Sequence, residues 1–219
     1  MRFALVLLLA LTGCSPIYSP PIRGLHLGMP DRVSAGELEV GAEAAAWGQT
    51  FLPATGGAHF SYGISDLLAV EGGANLNLVE GLWATGWTGV RFIRRRWLGN
   101  GFSVSGDLEF GLGGGVGGRD AARSPWYTQG AFGVYDGVGL GIRWKWLGAF
   151  ARARADASVG TLAPSTLWAT YMAGLEAKAF DHLVIAASAG AVSYRNQAEI
   201  TGLFALVQFS AAWLFDLTE

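Results

Sequence analysis

From residue 101 the chain reads GFSVSGDLEFGLGGG, and its apolar and polar side chains separate by parity. Phe102, Val104, Leu108, Phe110 and Leu112 share one parity, while Ser103, Ser105, Asp107 and Glu109 share the other. Successive side chains of a strand leave opposite faces, so this period of two predicts a strand. From Ala35 onward the alternation is almost continuous. It predicts ten strands, over residues 36–47, 57–65, 67–79, 82–93, 101–113, 130–146, 148–160, 167–180, 182–195 and 200–215. The connections alternate in character. Segments 48–56, 79–82, 114–129, 161–166 and 196–199 fall at one end and include the long ones. Ser65-Asp66, the 94–100 segment, Trp146-Leu147 and Asp181 fall at the other end and are mostly tight.

The charges indicate which face is wet. Candidate outward rows include Leu38, Val40, Ala42 and Ala44 in the first strand, Phe60, Tyr62 and Ile64 in the second, and Leu203 to Phe215 at odd positions in the last. They carry no charge. In a soluble sandwich the polar face meets water and lysine is common on it. Here the opposite rows pair signs: Glu37, Glu39 and Glu43 in the first strand, Asp107 and Glu109 in the fifth, and Arg143 and Lys145 in the sixth. Arg152, Arg154 and Asp156 follow in the seventh, and Glu176 and Lys178 in the eighth. Acids come early and bases later, so a closed sheet would bring them face to face across an interior. Strands of roughly 12 residues also suit a tilted membrane strand better than the ~5–6 usual in globular sheets. Asp136 departs from the pattern by falling on the lipid parity, where a loop or a bulge at Asp136-Gly137 would explain it. The ninth strand has no clear polar side. Trp47, Trp83, Trp97, Trp126, Trp144, Trp146, Trp168 and Trp213 sit near strand ends, as aromatic girdles require.

The beginning of the chain, MRFALVLLLALTGC, is laid out like a secretory signal, with Arg2, an apolar run from Phe3 to Leu11 and small residues before a cysteine. The run is too short to span a bilayer as a helix, which needs about 20 apolar residues. Residues 1–13 are expected to be removed. Residues 14–34 hold Pro16, Pro20, Pro21 and Pro30 without a sustained period and are read as a tether, leaving 35–219 as one barrel domain. Cys14 is the only cysteine of the 219 residues, so no intrachain disulfide forms. The composition is 51% hydrophobic and 15% charged, with a mean hydropathy of +0.33. A chain this oily without long apolar runs has one way to cross lipid, a closed barrel that pairs every backbone polar group. The net charge of -2 argues against nucleic acid as a partner.

Several of these stretches resemble known families. Leu11-Thr12-Gly13-Cys14 resembles the lipobox of bacterial lipoproteins, which implies cleavage before Cys14 and acylation of its thiol; Ser15 after it is similar to an outer-membrane sorting signal. FSAAWLF, with Trp213 and Phe215, is similar to the closing strand that the barrel-assembly machinery reads, although Asp216 to Glu219 follow it here. With YGISDLL as strand-turn-strand, the run of alternating strands resembles the small bacterial outer-membrane β-barrel superfamily. The resemblance implies a closed antiparallel transmembrane barrel in the outer membrane of a Gram-negative bacterium, with outer-membrane lipids as partners. Ten strands are expected, eight being the alternative. The even number puts both ends of the sheet, and a lipid on Cys14, on the periplasmic side.

The paired charges read first as a network that plugs the lumen, and second as the lining of a narrow path. A structural, minor transport or surface-interaction role follows, with no catalytic centre and no cofactor. Two alternatives stay open: a soluble periplasmic β-sandwich lipoprotein and a hydrolase. His59-Phe60-Ser61 is similar to the His-x-Ser pair of outer-membrane lipid A deacylases. A hairpin turning near Ser65 would place Glu71 opposite His59, on the same inward face as Ser61, so that Ser61 attacks, His59 takes its proton and Glu71 orients the imidazole. A histidine held by a glutamate in a polar lumen explains the same residues without catalysis. His26 lies in the tether, Asp181-His182 sit at a turn, and no cluster has metal-ligand spacing. The Gly111 to Gly118 run lacks the lysine and hydroxyl of a phosphate loop. Arg94-Arg95-Arg96 reads as a solvated turn beside the membrane, or as a contact for anionic headgroups.

Overall fold

The parity pattern resolves into ten strands: β1 (Glu37–Trp47), β2 (Pro53–Ser65), β3 (Leu68–Asn77), β4 (Leu82–Gly99), β5 (Phe102–Gly118), β6 (Gln129–Trp144), β7 (Leu147–Gly160), β8 (Thr166–Ala179), β9 (Leu183–Asn196) and β10 (Thr201–Asp216). This computed structural model describes residues 20–23, 28–47, 53–78, 82–118, 129–161, 165–197 and 201–218. Each strand pairs antiparallel with the next, and β1 pairs with β10 from Glu37↔Asp216 to Trp47↔Leu206. The sheet therefore closes on itself and has no edge, which removes the two-sheet sandwich and the eight-strand count. Tight turns join β2 to β3, β4 to β5, β6 to β7 and β8 to β9 at the end where β1 begins and β10 finishes.

Three local expectations are corrected. The arginine run is not a turn: Arg94↔Gly106, Arg95↔Ser105 and Arg96↔Val104 continue the β4–β5 ladder. The reversal comes at Asn100-Gly101, where φ values of 53° and 78° place both residues in the left-handed region. Asp136 is neither in a loop nor at a bulge, because Phe110↔Asp136 and Asp136↔Ala155 lie in unbroken registers and its side chain is exposed on the outer face. Trp83 and Trp168 do not belong to a girdle; both are buried inside, as is Trp87. Trp97, Trp144, Trp146 and Trp213 are exposed and gather at the tight-turn end. The side chain of Trp47 and all of Trp126 lie outside the described residues.

The exterior is apolar over nearly its whole height; Leu140, Phe209 and Leu203 are 64%, 62% and 73% exposed. The interior has two characters. The inward charges lie on β1 and β3 to β8, whereas β9 turns Val184, Ala186 and Val192 inward, the latter two against Trp168, Met172 and Leu206. That apolar sector explains why β9 shows no polar side in sequence. The segment read as a tether does not hang free where it is described. Residues 20–23 and 28–33 are buried in the lumen and form a strap along its axis.

Candidate functional site

The wall of the lumen carries more acid than base. Among the described residues, its buried carboxylates are Glu39, Glu43, Glu71, Asp107, Glu109, Asp156 and Glu176, against the guanidiniums of Arg91, Arg95, Arg143, Arg152 and Arg154. Ionised carboxylates away from water are tolerated only when paired and hydrogen-bonded. The strap supplies two further cations. Arg23 donates both terminal nitrogens to Glu71, at 2.7 and 3.0 Å, and lies 2.9 Å from Glu109. Its planar guanidinium also sits over the rings of Trp87 and Tyr135, 4.4 and 4.9 Å from their centroids. Those rings meet edge to face at 86°. Gly89 and Gly111 leave the room Tyr135 needs, since a Cβ on either would lie within 2.3 Å of its phenol.

Lower in the lumen Arg32 bridges Glu176 and Glu39, the latter at 3.1 Å. Glu176 also accepts from the Met29 amide at 3.0 Å and from Arg143 at 2.7 Å. Asp31 of the strap accepts from Arg95 Nε at 3.1 Å. Arg152 donates to Asp107, Glu109 and the Gly28 carbonyl at 2.6, 2.9 and 3.0 Å. Arg154 donates to Asp156 at 3.0 Å and to the Arg23 carbonyl at 3.3 Å. Strap and wall thus share one electrostatic core.

Most of the acids and bases assigned to the lumen from sequence lie in this core: Glu39, Glu43, Asp107, Glu109, Arg152, Arg154, Asp156 and Glu176, with Arg143 at its lower edge. Three lie elsewhere. Glu37 is at the mouth, accepting from the Ser34 amide at 2.7 Å. Lys145 is exposed in a turn, with φ 54° and its ammonium 5.2 Å from the Trp144 ring centroid. Lys178 is half-buried at the same mouth, beside Asp31 and Arg95. Parity marks Arg91 and Arg95 as inward once β4 is extended through the arginine run. No periodicity marks Arg23, Asp31 or Arg32; the acid excess of the wall is the only sequence signal for a missing cation.

The hydrolase constellation is not assembled as the resemblance requires. Glu71, its proposed orienting carboxylate, is engaged by Arg23 from the strap. His59 instead meets Glu39 at 2.9 Å through Nε2 and lies 3.6 Å from Glu43 through Nδ1. Ser61 accepts from Arg91 at 3.0 Å and is 0% exposed. Cys14, His26 and most of the 114–129 loop lie outside the described residues. Among the described residues no group of His, Cys, Asp and Glu has the geometry of a metal site, and no helix is long and apolar enough to cross a membrane.

No family model matches the chain, and no curated protein matches it. Among solved structures it is similar to the N-terminal β-barrel domain of OprF from Pseudomonas aeruginosa, at TM-score 0.38 and 8% identity over 84% of this chain and 100% of that one. The CymD monoaromatic hydrocarbon channel gives TM-score 0.36 and 9% identity over 94% and 98%. Ail, the attachment invasion locus protein of Yersinia pestis, gives 0.27 and 13% over 83% and 99%. Overlaps at these TM-scores assign no role to any residue of this chain. The class of protein, a closed ten-stranded antiparallel β-barrel, rests on the chain's own register.

Proposed function

We propose that this protein is a transmembrane barrel of a Gram-negative outer membrane, closed by its own N-terminal strap, with a structural or surface-interaction role and a transport path only if the strap moves. The reading rests chiefly on Arg23 and Arg32, strap cations buried against wall carboxylates across the lumen. A second support is the exterior, whose apolar rows suit a hydrocarbon band about 25 Å tall. The exposed tryptophans at the tight-turn end match an interfacial girdle, and short turns on one side with longer loops on the other match periplasmic and external faces. On this orientation β1 begins and β10 ends in the periplasm. Arg94 and Arg96, exposed near that girdle, are placed to meet phosphate-bearing headgroups.

Planar-bilayer conductance tests the proposal. The purified barrel, its folding checked by heat-modifiable migration, is expected to be silent. The double variant Arg23→Ala/Arg32→Ala, which frees the strap from its carboxylates, is expected to give discrete steps. Those steps should change in cation preference when Glu109 is also neutralised. An open wild-type pore would overturn the closed state, and silence of a folded double variant would leave a structural role alone.

A further inference from the structure

The strap has a direction, and its contacts with the wall read it off. Near its C-terminal end, Val33 packs with Ala69, Ile93, Val184 and Leu214, and the Gly36 amide donates to the Gly63 carbonyl at 2.8 Å, all beside the tight turns. As residue numbers fall, the partners climb. On β7 they pass from Gly148, against Met29, to Arg152, against Gly28, and then to Arg154 and Asp156, against Arg23. On β6 they pass from Arg143, beside Asp31, to Gly141, beside Met29, then to Tyr135 over Arg23 and Gly133 against Ile22. Two neighbouring strands running in opposite directions thus report the same steady ascent from the tight-turn mouth toward the loop end.

At Ile22 the climb is nearly complete. Gly133 is four positions from Gln129, where β6 begins at the loop end. At about 3.3 Å per residue that is roughly 13 Å along the strand, and less along the axis because barrel strands tilt. A few residues of extended chain cover it. Return to the tight-turn mouth would need a second passage of the lumen beside a strap whose Ile22, Arg23 and Met29 are no more than 1% exposed.

We infer that the strap enters the lumen from the loop end at Pro20, so that its start and the end of β10 lie on opposite faces of the membrane. The inference rests on the transmembrane reading proposed above. Cys14, six positions before Pro20, lies outside the described residues.

A membrane-impermeant thiol reagent applied to intact cells tests this. Two variants, Ser19→Cys and Thr218→Cys, are compared before and after the outer membrane is permeabilised, with the wild type reporting any reaction at Cys14. Labelling of position 19 in intact cells, with position 218 labelled only after permeabilisation, is the expected result. The mirror result also places the ends on opposite faces and turns the barrel over. Equal behaviour of the two positions overturns the inference. Should either variant fail to assemble, proteolysis of the unmodified protein in vesicles of known orientation, with mass analysis of the N-terminal fragment, reads the same question. Carbonate and detergent extraction of the same cells shows separately whether the transmembrane reading itself has failed.

Discussion

At the scale of single residues, the interior is organised around arginines, of which Arg23, Arg32, Arg91, Arg143 and Arg152 each meet two acids. Removing one partner of a buried ion pair typically costs 3–5 kcal/mol because the other charge is left desolvated. Arg23→Met is therefore expected to lower the unfolding free energy of the barrel by about that much, because Glu71 loses its bidentate partner and Glu109 one of its arginines. The double variant Arg23→Met/Glu71→Gln should recover part of the loss in urea titrations followed by tryptophan fluorescence. Ser61→Ala removes one hydrogen bond from Arg91, worth about 1 kcal/mol, and should leave lipid A acylation unchanged by mass spectrometry. A change in acylation would revive the hydrolase reading. The buried acids were legible because parity assigns each residue of a strand to a face. Arg23 and Arg32 were not, because a segment without periodicity declares no face, and prolines in it read equally well as linker or as an extended chain packed in a groove. His59, Ser61 and Glu71 show the limit of a motif: the strand pairing sets Glu71 opposite Ser61 and leaves His59 opposite Gly73, and the strap, absent from any local pattern, takes the carboxylate away.

At the scale of elements, all ten strands were legible, but β2 begins four residues before and β5 runs five residues past the ends that the alternation marks, the latter through glycines that carry no parity. The errors fall where two signals competed. Three consecutive arginines looked like a solvated turn, but Arg95 points inward to Asp31 while its neighbours point out, and the ladder runs on to Gly99. Asp136 looked like a break, but the backbone pairing is indifferent to the charge it carries outward. The strap touches the wall most closely where glycines thin it. A Cβ on Gly141 would meet three strap atoms first, Met29 Cε and Sδ and Pro30 Cδ, at 2.7 to 2.9 Å. Gly141→Val, a favourable exchange for the strand itself, should therefore loosen the strap at an overpacking cost of about 1–3 kcal/mol. Hydrogen exchange would register it as faster exchange in the strap amides, with the β6–β7 ladder still protected; uniform acceleration throughout would mean that the strap and the wall open only together.

At the scale of the whole molecule, the apolar outside and the charged inside invert the arrangement of a water-soluble barrel. Detergent is accordingly expected to be needed for extraction even after Cys14→Ser, because the belt of exposed Leu, Phe and Val side chains binds the membrane without any acyl chain. Release of that variant by carbonate would show that the belt is covered by something other than lipid. Closure has a further consequence. A strand ring with no edge, through which the same chain passes as an axle, is in effect a self-threaded rotaxane. Such an axle cannot leave sideways without parting a strand pair, and can be withdrawn only end-first. The ring shuts where the first strand meets the last, so an axle not in place before the final strand docks can enter only end-first. Residues 20–34 precede every strand in the order of synthesis, and β10 comes last. The order in which the chain is made is thus the order in which an axle can be laid down and a ring closed around it.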